Sequence, residues 1–158
     1  FIPPQKGQRH TLYIIRELIN FQKKKKKTDI SLALKYMTGA IKKRCTAFII
    51  WDFIEIMDFK TDLTIANRKH DIVAIQVFDK REAELPSVGL MYVHDAETDK
   101  ERLIDTSSNT VRETYKRWWN DLQDKLSDTF KKSKVDSISI STDQDYVREL
   151  MNLFNLRS

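Results

Sequence analysis

The sequence predicts a single α/β domain, built on a doubly wound, mostly parallel sheet that is flanked by helices. Helical and strand-like segments alternate along the chain, which is typical of a parallel sheet whose crossover connections are helices. Two of the strand segments, residues 46–51 and 72–78, are apolar almost throughout. A strand needs that composition when helices cover both faces of its sheet.

The composition predicts a soluble globular protein. The chain has 158 residues, of which 41% are hydrophobic and 32% are charged. This length is enough for one domain with a substantial core. No apolar run approaches the roughly 18–20 residues of a membrane span. Cys45 is the single cysteine, which excludes a disulfide within the chain and favours a reducing, cytoplasmic location.

The first half of the chain predicts five elements. They are two helices, a strand, a third helix and a second strand, at residues 9–21, 28–44, 46–51, 60–69 and 72–78. Thr28 stands where the N-cap of the second helix is expected, and Asp29 follows in the first turn, where the helix dipole favours negative charge. The lysine run at residues 23–27 precedes this helix as a solvated loop. No aromatic residues interleave with these lysines, so nucleic-acid binding is not expected.

The second half predicts a small β-hairpin insertion, a long helix, a strand and a last helix, at about residues 88–105, 108–132, 136–141 and 144–155. The apolar stripe of the long helix contains Val111, Tyr115, Trp118, Leu122, Leu126 and Phe130. Two adjacent residues cannot both face one side of a helix. The stripe therefore predicts that Trp118 lies in the core and that Trp119 is half exposed or packs on a partner, although core packing is the default interpretation for both.

Three of the strand-like segments end at an aspartate: Asp52, Asp79 and Asp143. The parallel strands of an α/β sheet all end at the same edge, and ligands bind at that edge. We therefore expect these three carboxylates along one rim. The alternative for each of them is a structural role in a turn or as an N-cap, with Asp143 capping the last helix.

Several short segments occur in an order that resembles a bacterial family, namely TDISLAL, FIIWDF, RKHDIVAIQVFDKREAELPSVGL, HDAET, LIDTSS and STDQDYV. This family is number fifty-eight of the domains of unknown function. Its members carry a von Willebrand factor A-like domain, which is Rossmann-like, and are often encoded beside MoxR-type AAA+ ATPases. The resemblance implies that the chain is the C-terminal portion of such a domain, truncated at the N-terminus, with the central strand upstream.

The resemblance also implies a metal-ion-dependent adhesion site at the carboxyl edge of the sheet. Thr28 matches the threonine of that site and Asp52 matches its third-loop aspartate, while Asp29 and Asp79 would lie at the rim beyond the metal ligands. The Asp-x-Ser-x-Ser motif of the site is absent, because DISLA, DTSSN and DSISIS all depart from it. Mg²⁺ takes about six oxygen ligands. We therefore expect weak Mg²⁺ binding or none.

These features predict a non-catalytic protein-interaction module. The sequence contains neither a GxxxxGK[ST] nor a GxGxxG phosphate loop, and no residue order suggests a Ser–His–Asp triad. The resemblance implies a MoxR-type AAA+ ATPase as the partner, and we expect Asp95 and Glu97 of the hairpin to face it. Two alternatives remain open, a metal-free structural scaffold and a Mg²⁺-dependent phosphohydrolase.

The strand at residues 46–51 would have an open edge if the central strand lies upstream. Exposed apolar edges recruit other strands. We expect the chain to dimerise through this edge, to cover it with its own N-terminal segment, or to aggregate.

Overall fold

A computed structural model describes residues 2–21, 29–54, 58–95, 100–155 and 157. Within these ranges the chain forms α1 (Gln8–Asn20), α2 (Ile30–Ala40), β1 (Thr46–Trp51), α3 (Lys60–Lys69), β2 (Asp71–Phe78), α4 (Lys80–Ala83), β3 (Leu90–Asp95), β4 (Lys100–Asp105), α5 (Asn109–Ser133), β5 (Asp136–Ser141) and α6 (Tyr146–Asn155). The single turn α4 was not predicted from the sequence, and α2 ends four residues earlier than predicted. No helix in these ranges combines the length and the apolar character that crossing a bilayer demands.

The main sheet has three parallel strands in the order β1-β2-β5. The predicted order and direction of the strands are therefore confirmed. Ile49 of β1 lies opposite Ala74 of β2, and Ile75 of β2 lies opposite Ile138 of β5. The central strand β2 is buried on both faces, which explains its continuous apolar sequence.

Helices α2, α3 and α5 cover one face of the sheet. Their buried side chains form one cluster with Phe53, which follows β1, and include Leu34, Leu63, Leu122 and Phe130. The odd-numbered residues of β1 pack against this cluster from the sheet side. Burial of these apolar side chains supplies most of the stabilisation of the fold.

The orientation of α5 differs from the prediction. Trp119 is 6% exposed and its ring centroid lies 5.3 Å from that of Phe78, whereas Trp118 is 38% exposed and packs beside Tyr115. The stripe prediction is therefore wrong for both residues, and core packing, the default for both, holds for Trp119 alone. Phe78 lies at the end of β2 and faces α5. The contact with this ring places Trp119, and not Trp118, in the core.

Helix α6 covers the opposite face, so the sheet has helices on both sides. Its Leu153 packs with Val73 and Ile75 of β2 and with Ile140 of β5 in a second, smaller core. Fewer side chains close this face than the first one. Over the edge strand β1, Ile50 remains 67% exposed.

The predicted hairpin is present as an antiparallel pair, β3 with β4. Thr106 is fully buried at its base, where the hydroxyl donates to Gly89 O and accepts from Val88 N. The hydroxyl of Tyr115 on α5 donates to the Glu82 carbonyl at 2.8 Å, next to the segment that leads into the hairpin. The Thr106 bonds join the two ends of the hairpin to each other, and the Tyr115 bond holds α4, just before the hairpin, against α5.

Candidate functional site

The carboxyl edge of the parallel sheet is the candidate site. Because β1, β2 and β5 are parallel, their last residues lie at one edge. Asp52 follows β1 directly, Asp79 follows β2 directly, and Asp143 follows β5 after one intervening residue. In open α/β sheets this edge is where ligands bind.

Asp52 is held in a short, well-defined turn. Its Oδ1 accepts a hydrogen bond from Ile54 N at 3.2 Å. The next residue, Phe53, has a left-handed backbone with φ of 56° and is 1% exposed. A non-glycine residue in this conformation costs of the order of 1 kcal/mol. The Phe53 ring packs against Trp51, Phe59 and Phe130 in the core. This packing offsets the cost and fixes the backbone position of Asp52.

A buried glutamine connects Asp52 to the rest of the sheet. Gln76 of β2 is 3% exposed, and its Nε2 donates to the Asp52 carbonyl at 3.0 Å. Its Oε1 accepts from Ser139 Oγ of β5 at 2.7 Å. Gln76 was not among the site residues predicted from the sequence. The signal was present, because Gln76 is the only polar residue between Ile72 and Phe78.

Asp29 lies at the N-terminus of α2. Its side chain caps the helix by accepting from Leu32 N at 2.9 Å. The prediction that Thr28 is the N-cap and Asp29 lies in the first turn is therefore wrong by one residue. Thr28 itself lies outside the described residues. Since α2 packs on the sheet and ends shortly before β1 begins, its N-terminus points towards the carboxyl edge of the sheet.

Asp79 is engaged in local structure. It is the N-cap of α4, where its Oδ1 accepts from Arg81 N at 2.8 Å, and Glu82 returns a bond to the Asp79 N–H. This reciprocal arrangement is a capping box. Oδ2 also accepts from Thr142 Oγ1 at 3.4 Å, which links the ends of β2 and β5.

Asp143 does not cap the last helix. Asp145 takes that role, because its Oδ1 accepts from Val147 N at 3.1 Å at the start of α6. Asp143 instead accepts a hydrogen bond from Ser141 Oγ, which is the main cause that holds the pKa of Asp143 below its ordinary value, with the Lys80 charge as a smaller cause. The cap prediction for Asp143 is wrong by two residues along the chain.

The hairpin is the remaining predicted part of the site. Asp95 is the last residue of β3 and lies opposite Lys100 in the register. The side chain of Asp95 and all of Glu97 lie outside the described part of the chain. Among the described hairpin residues, Tyr92 is 71% exposed and Leu103, its partner across the strands, is 53% exposed.

The carboxylates of this edge do not make a Mg²⁺ site by themselves. In the described ranges, no three side chains among His, Cys, Asp and Glu are grouped to hold a metal ion. Asp29 and Asp52 each use one oxygen to accept a backbone N–H bond. Mg²⁺ needs about six oxygens in octahedral geometry, so these residues do not fit a resident ion without further ligands.

The described histidine–cysteine pair lies at the opposite edge of the sheet. His70, which precedes β2, is fully buried, and its Nδ1 is 3.4 Å from Sγ of Cys45, which precedes β1. Strand β1 separates this pair from Asp52. The two groups therefore cannot act together on one ligand.

Comparison with known proteins finds relatives that are described as uncharacterised. The chain is 24% identical to the uncharacterised protein MAV169 of Mycobacterium avium, over 82% of this chain and 76% of that protein. It is also 24% identical to the uncharacterised proteins Rv1480 of Mycobacterium tuberculosis H37Rv and Mb1516 of Mycobacterium bovis, over 95% of this chain. The chain spans 48% of the length of these two relatives. No solved structure matches the chain.

A family model, described as a protein of unknown function, DUF58, matches residues 1–125. The matched part includes β1, β2, the hairpin and Asp29, Asp52 and Asp79, and it ends within α5. Since the match covers most of the sequence, the chain belongs to the DUF58 family.

Proposed function

We propose that this chain is part of a non-catalytic protein-interaction module of the von Willebrand factor A type, and that it contacts its partner through the carboxyl edge of the sheet. The observation that carries the proposal is the placement of Asp52. A left-handed residue, an N–H bond and a buried glutamine set this carboxylate at the end of a strand. Backbone strain and supporting hydrogen bonds around one side chain are typical of binding sites, so this arrangement favours a role in recognition.

The chemistry of the described rim favours binding over catalysis. Its carboxylates Asp29, Asp52 and Asp79 all accept backbone N–H bonds. A general acid–base mechanism needs a proton donor or acceptor whose pKa lies near the working pH. The buried histidine His70 lies at the other edge of the sheet.

The metal dependence of binding rests on ligands beyond those described. Asp52 can offer one carboxylate to a cation, and the Thr28 hydroxyl is proposed as a second ligand on the resemblance of TDIS to the family motif. The remaining oxygens must come from other parts of a longer protein, such as the relatives of twice this length. We propose Mg²⁺-dependent binding for such a protein, and weak or no Mg²⁺ binding for this chain alone.

The proposed partner is a MoxR-type AAA+ ATPase, on the basis of the gene neighbourhood of the resembling family. The test is calorimetric titration of the ATPase into the full-length protein, with and without Mg²⁺. Asp52→Ala should abolish Mg²⁺-dependent binding and leave the circular dichroism spectrum unchanged. The matched control is Asp124→Ala, since Asp124 is an exposed carboxylate on α5.

Titration of Mg²⁺ alone into wild type and Asp52→Ala separates the metal site from the partner. Equal Mg²⁺ affinities would remove Asp52 from the metal site. If partner binding also survives in Asp52→Ala, the carboxyl edge is not the contact surface. The metal-free scaffold would then be the better description of the chain.

A further inference from the structure

Gln76 is a buried polar residue in an otherwise apolar stretch of β2. The residues two places before and after it, Ala74 and Phe78, pack in the cluster under α2, α3 and α5. Side chains alternate between the two faces of a strand, so Gln76 points into the same core. Burial of an amide is unfavourable unless both of its ends are hydrogen-bonded. An apolar residue would fill this position at lower cost, which indicates that the hydrogen bonds of Gln76 serve its neighbours.

The backbone pairing of β1 with β2 stops where the Gln76 side chain takes over. Trp51 lies opposite Gln76 in the last pair of the register, and the chain leaves the sheet at Asp52. Gln76 Nε2 donates to the Asp52 carbonyl, so a side chain replaces the backbone donors that act along the strand. The left-handed residue Phe53 follows immediately. The bond therefore holds Asp52 at the point where the chain changes direction.

Ser139 holds the other end of the amide. It lies opposite Gln76 in the β2–β5 register, and its hydroxyl donates to Gln76 Oε1. A carbonyl oxygen only accepts hydrogen bonds, so the Nε2 end of the amide must face Asp52 and the Oε1 end must face β5. The hydroxyl of Ser139 keeps the amide in that orientation. We call this chain of bonds, from the Asp52 carbonyl through the Gln76 amide to the Ser139 hydroxyl, the Gln76 bridge.

The Gln76 bridge is complete within the described part of the chain. Its centre is buried and each of its two bonds has both partners on β1, β2 or β5 or directly after β1. No further segment of a longer protein has to complete it. The bridge links all three strands of the parallel sheet at its carboxyl half.

We propose that Gln76 and Ser139 are positioning residues for the Asp52 carboxylate, so that strand β5 sets the geometry of this rim position through the Gln76 bridge. The inference deepens the proposed function and rests on it for the role of Asp52 in binding. Asp52 Oδ1 accepts from Ile54 N within its own turn. A shift of the Asp52 backbone would break that bond and turn the carboxylate away from its binding position.

The first test measures the turn itself by amide hydrogen exchange of the 158-residue chain, followed by NMR. The probe is the Ile54 amide, and the reference is the Ile72 amide, which donates to Asn67 Oδ1 at the opposite edge of the sheet. Gln76→Met keeps the length of the side chain and removes both bonds. It should lower the protection of Ile54 relative to Ile72 about fivefold or more, the factor that one typical hydrogen bond contributes.

Variants of β5 test whether Ser139 acts through Gln76. Ser139→Ala should lower the relative protection of Ile54 about threefold or more, and Ser139→Thr, which keeps the hydroxyl, should restore it. Combined with Gln76→Met, Ser139→Ala should cause no further loss, because the bridge is already broken. The matched control is Ser137→Ala, since Ser137 is an exposed serine on the same face of β5 that lies opposite Ala74.

The second test measures binding in the full-length protein. Mg²⁺ and then the MoxR-type ATPase are titrated into wild type, Gln76→Met and Asp52→Ala. Loss of a group that orients a binding residue typically weakens affinity about 10–100-fold. Gln76→Met should therefore weaken binding of the ATPase about tenfold, with an unchanged circular dichroism spectrum.

The two tests fail separately. Unchanged Ile54 protection in folded Gln76→Met would overturn the proposal, and so would a further loss when Ser139→Ala is added to it. Lower protection with unchanged binding in Gln76→Met, while Asp52→Ala abolishes binding, would show that the bridge does not position Asp52 for its partner. If Asp52→Ala also binds as wild type does, the proposed function fails, and the exchange data alone decide whether the bridge holds the turn.

Discussion

Replacement of Trp119 by alanine should destabilise the domain much more than replacement of its neighbour Trp118. Trp119 is 6% exposed and Trp118 is 38% exposed. A buried aromatic side chain removes about 200 Å² from water, which corresponds to about 5 kcal/mol at about 25 cal/mol per Å². Large-to-small changes of this kind cost about 3–5 kcal/mol. We expect a loss of about 4 kcal/mol for Trp119→Ala and of about 2 kcal/mol for Trp118→Ala, whose site opens to solvent.

The assay is urea unfolding followed by far-UV circular dichroism, because tryptophan fluorescence would change with the substitution itself. Small domains have unfolding free energies of about 5–15 kcal/mol, so a loss of about 4 kcal/mol leaves Trp119→Ala mostly folded without urea even if the wild type lies at the lower limit. Trp119→Leu provides a milder variant that retains apolar volume beside Phe78. Its loss should lie between that of wild type and that of Trp119→Ala.

Equal losses for the two alanine variants would refute this reasoning. A larger loss for Trp118→Ala would mean that α5 is rotated so that Trp118 faces the sheet. The Trp119 and Phe78 rings, whose centroids are 5.3 Å apart in the structure, would then not be in contact in solution.

Three further predictions concern local features. Asp79→Ala should reduce the unfolding free energy by about 1 kcal/mol because it removes a capping box, whereas Asp79→Asn should lose little; urea midpoints decide, and equal losses would argue against the cap. Lys134→Gly should raise stability by about 0.5–1 kcal/mol, since Lys134 ends α5 with a φ of 54° that glycine adopts without strain; an unchanged thermal midpoint would contradict it. Ser141→Ala should raise the pKa of Asp143 towards its ordinary value of 3.8. Because the Asp143 pKa is depressed in the folded state, its contribution to stability is present above that ordinary value and is lost as the pH falls below it. Carboxyl-detected NMR titration measures this pKa, and no shift would assign the depression to another group.

The site was predicted from the sequence less completely than the fold. Asp52 was singled out because it follows an apolar strand, whose carboxyl end lies where ligands bind in α/β sheets, and because the family resemblance matches it to a metal-site aspartate. Gln76, which holds the Asp52 carbonyl, was not identified, because its importance depends on which strands lie beside β2. The caps of α2 and α6 were each assigned to the wrong residue, since several polar residues precede both helices and only the path of the backbone selects one.

The sequence by itself determined the order of the elements and the parallel arrangement of the three main strands. The physical reason is that period and composition are local properties. A continuous apolar strand must be covered on both faces, and helices between such strands allow parallel connections. The boundaries of most elements follow from the same local patterns.

The tertiary structure alone decided which surfaces meet. Trp119 rather than Trp118 faces the core because Phe78 lies at the end of β2, and no pattern within α5 contains that information. Likewise, Phe48 and Ile50 are apolar strand residues like those of β2, yet they remain partly exposed because α6 lies mainly over the central strand and reaches β1 through Phe154. Burial depends on the neighbour that a residue meets, and the neighbours of these residues are distant in the sequence.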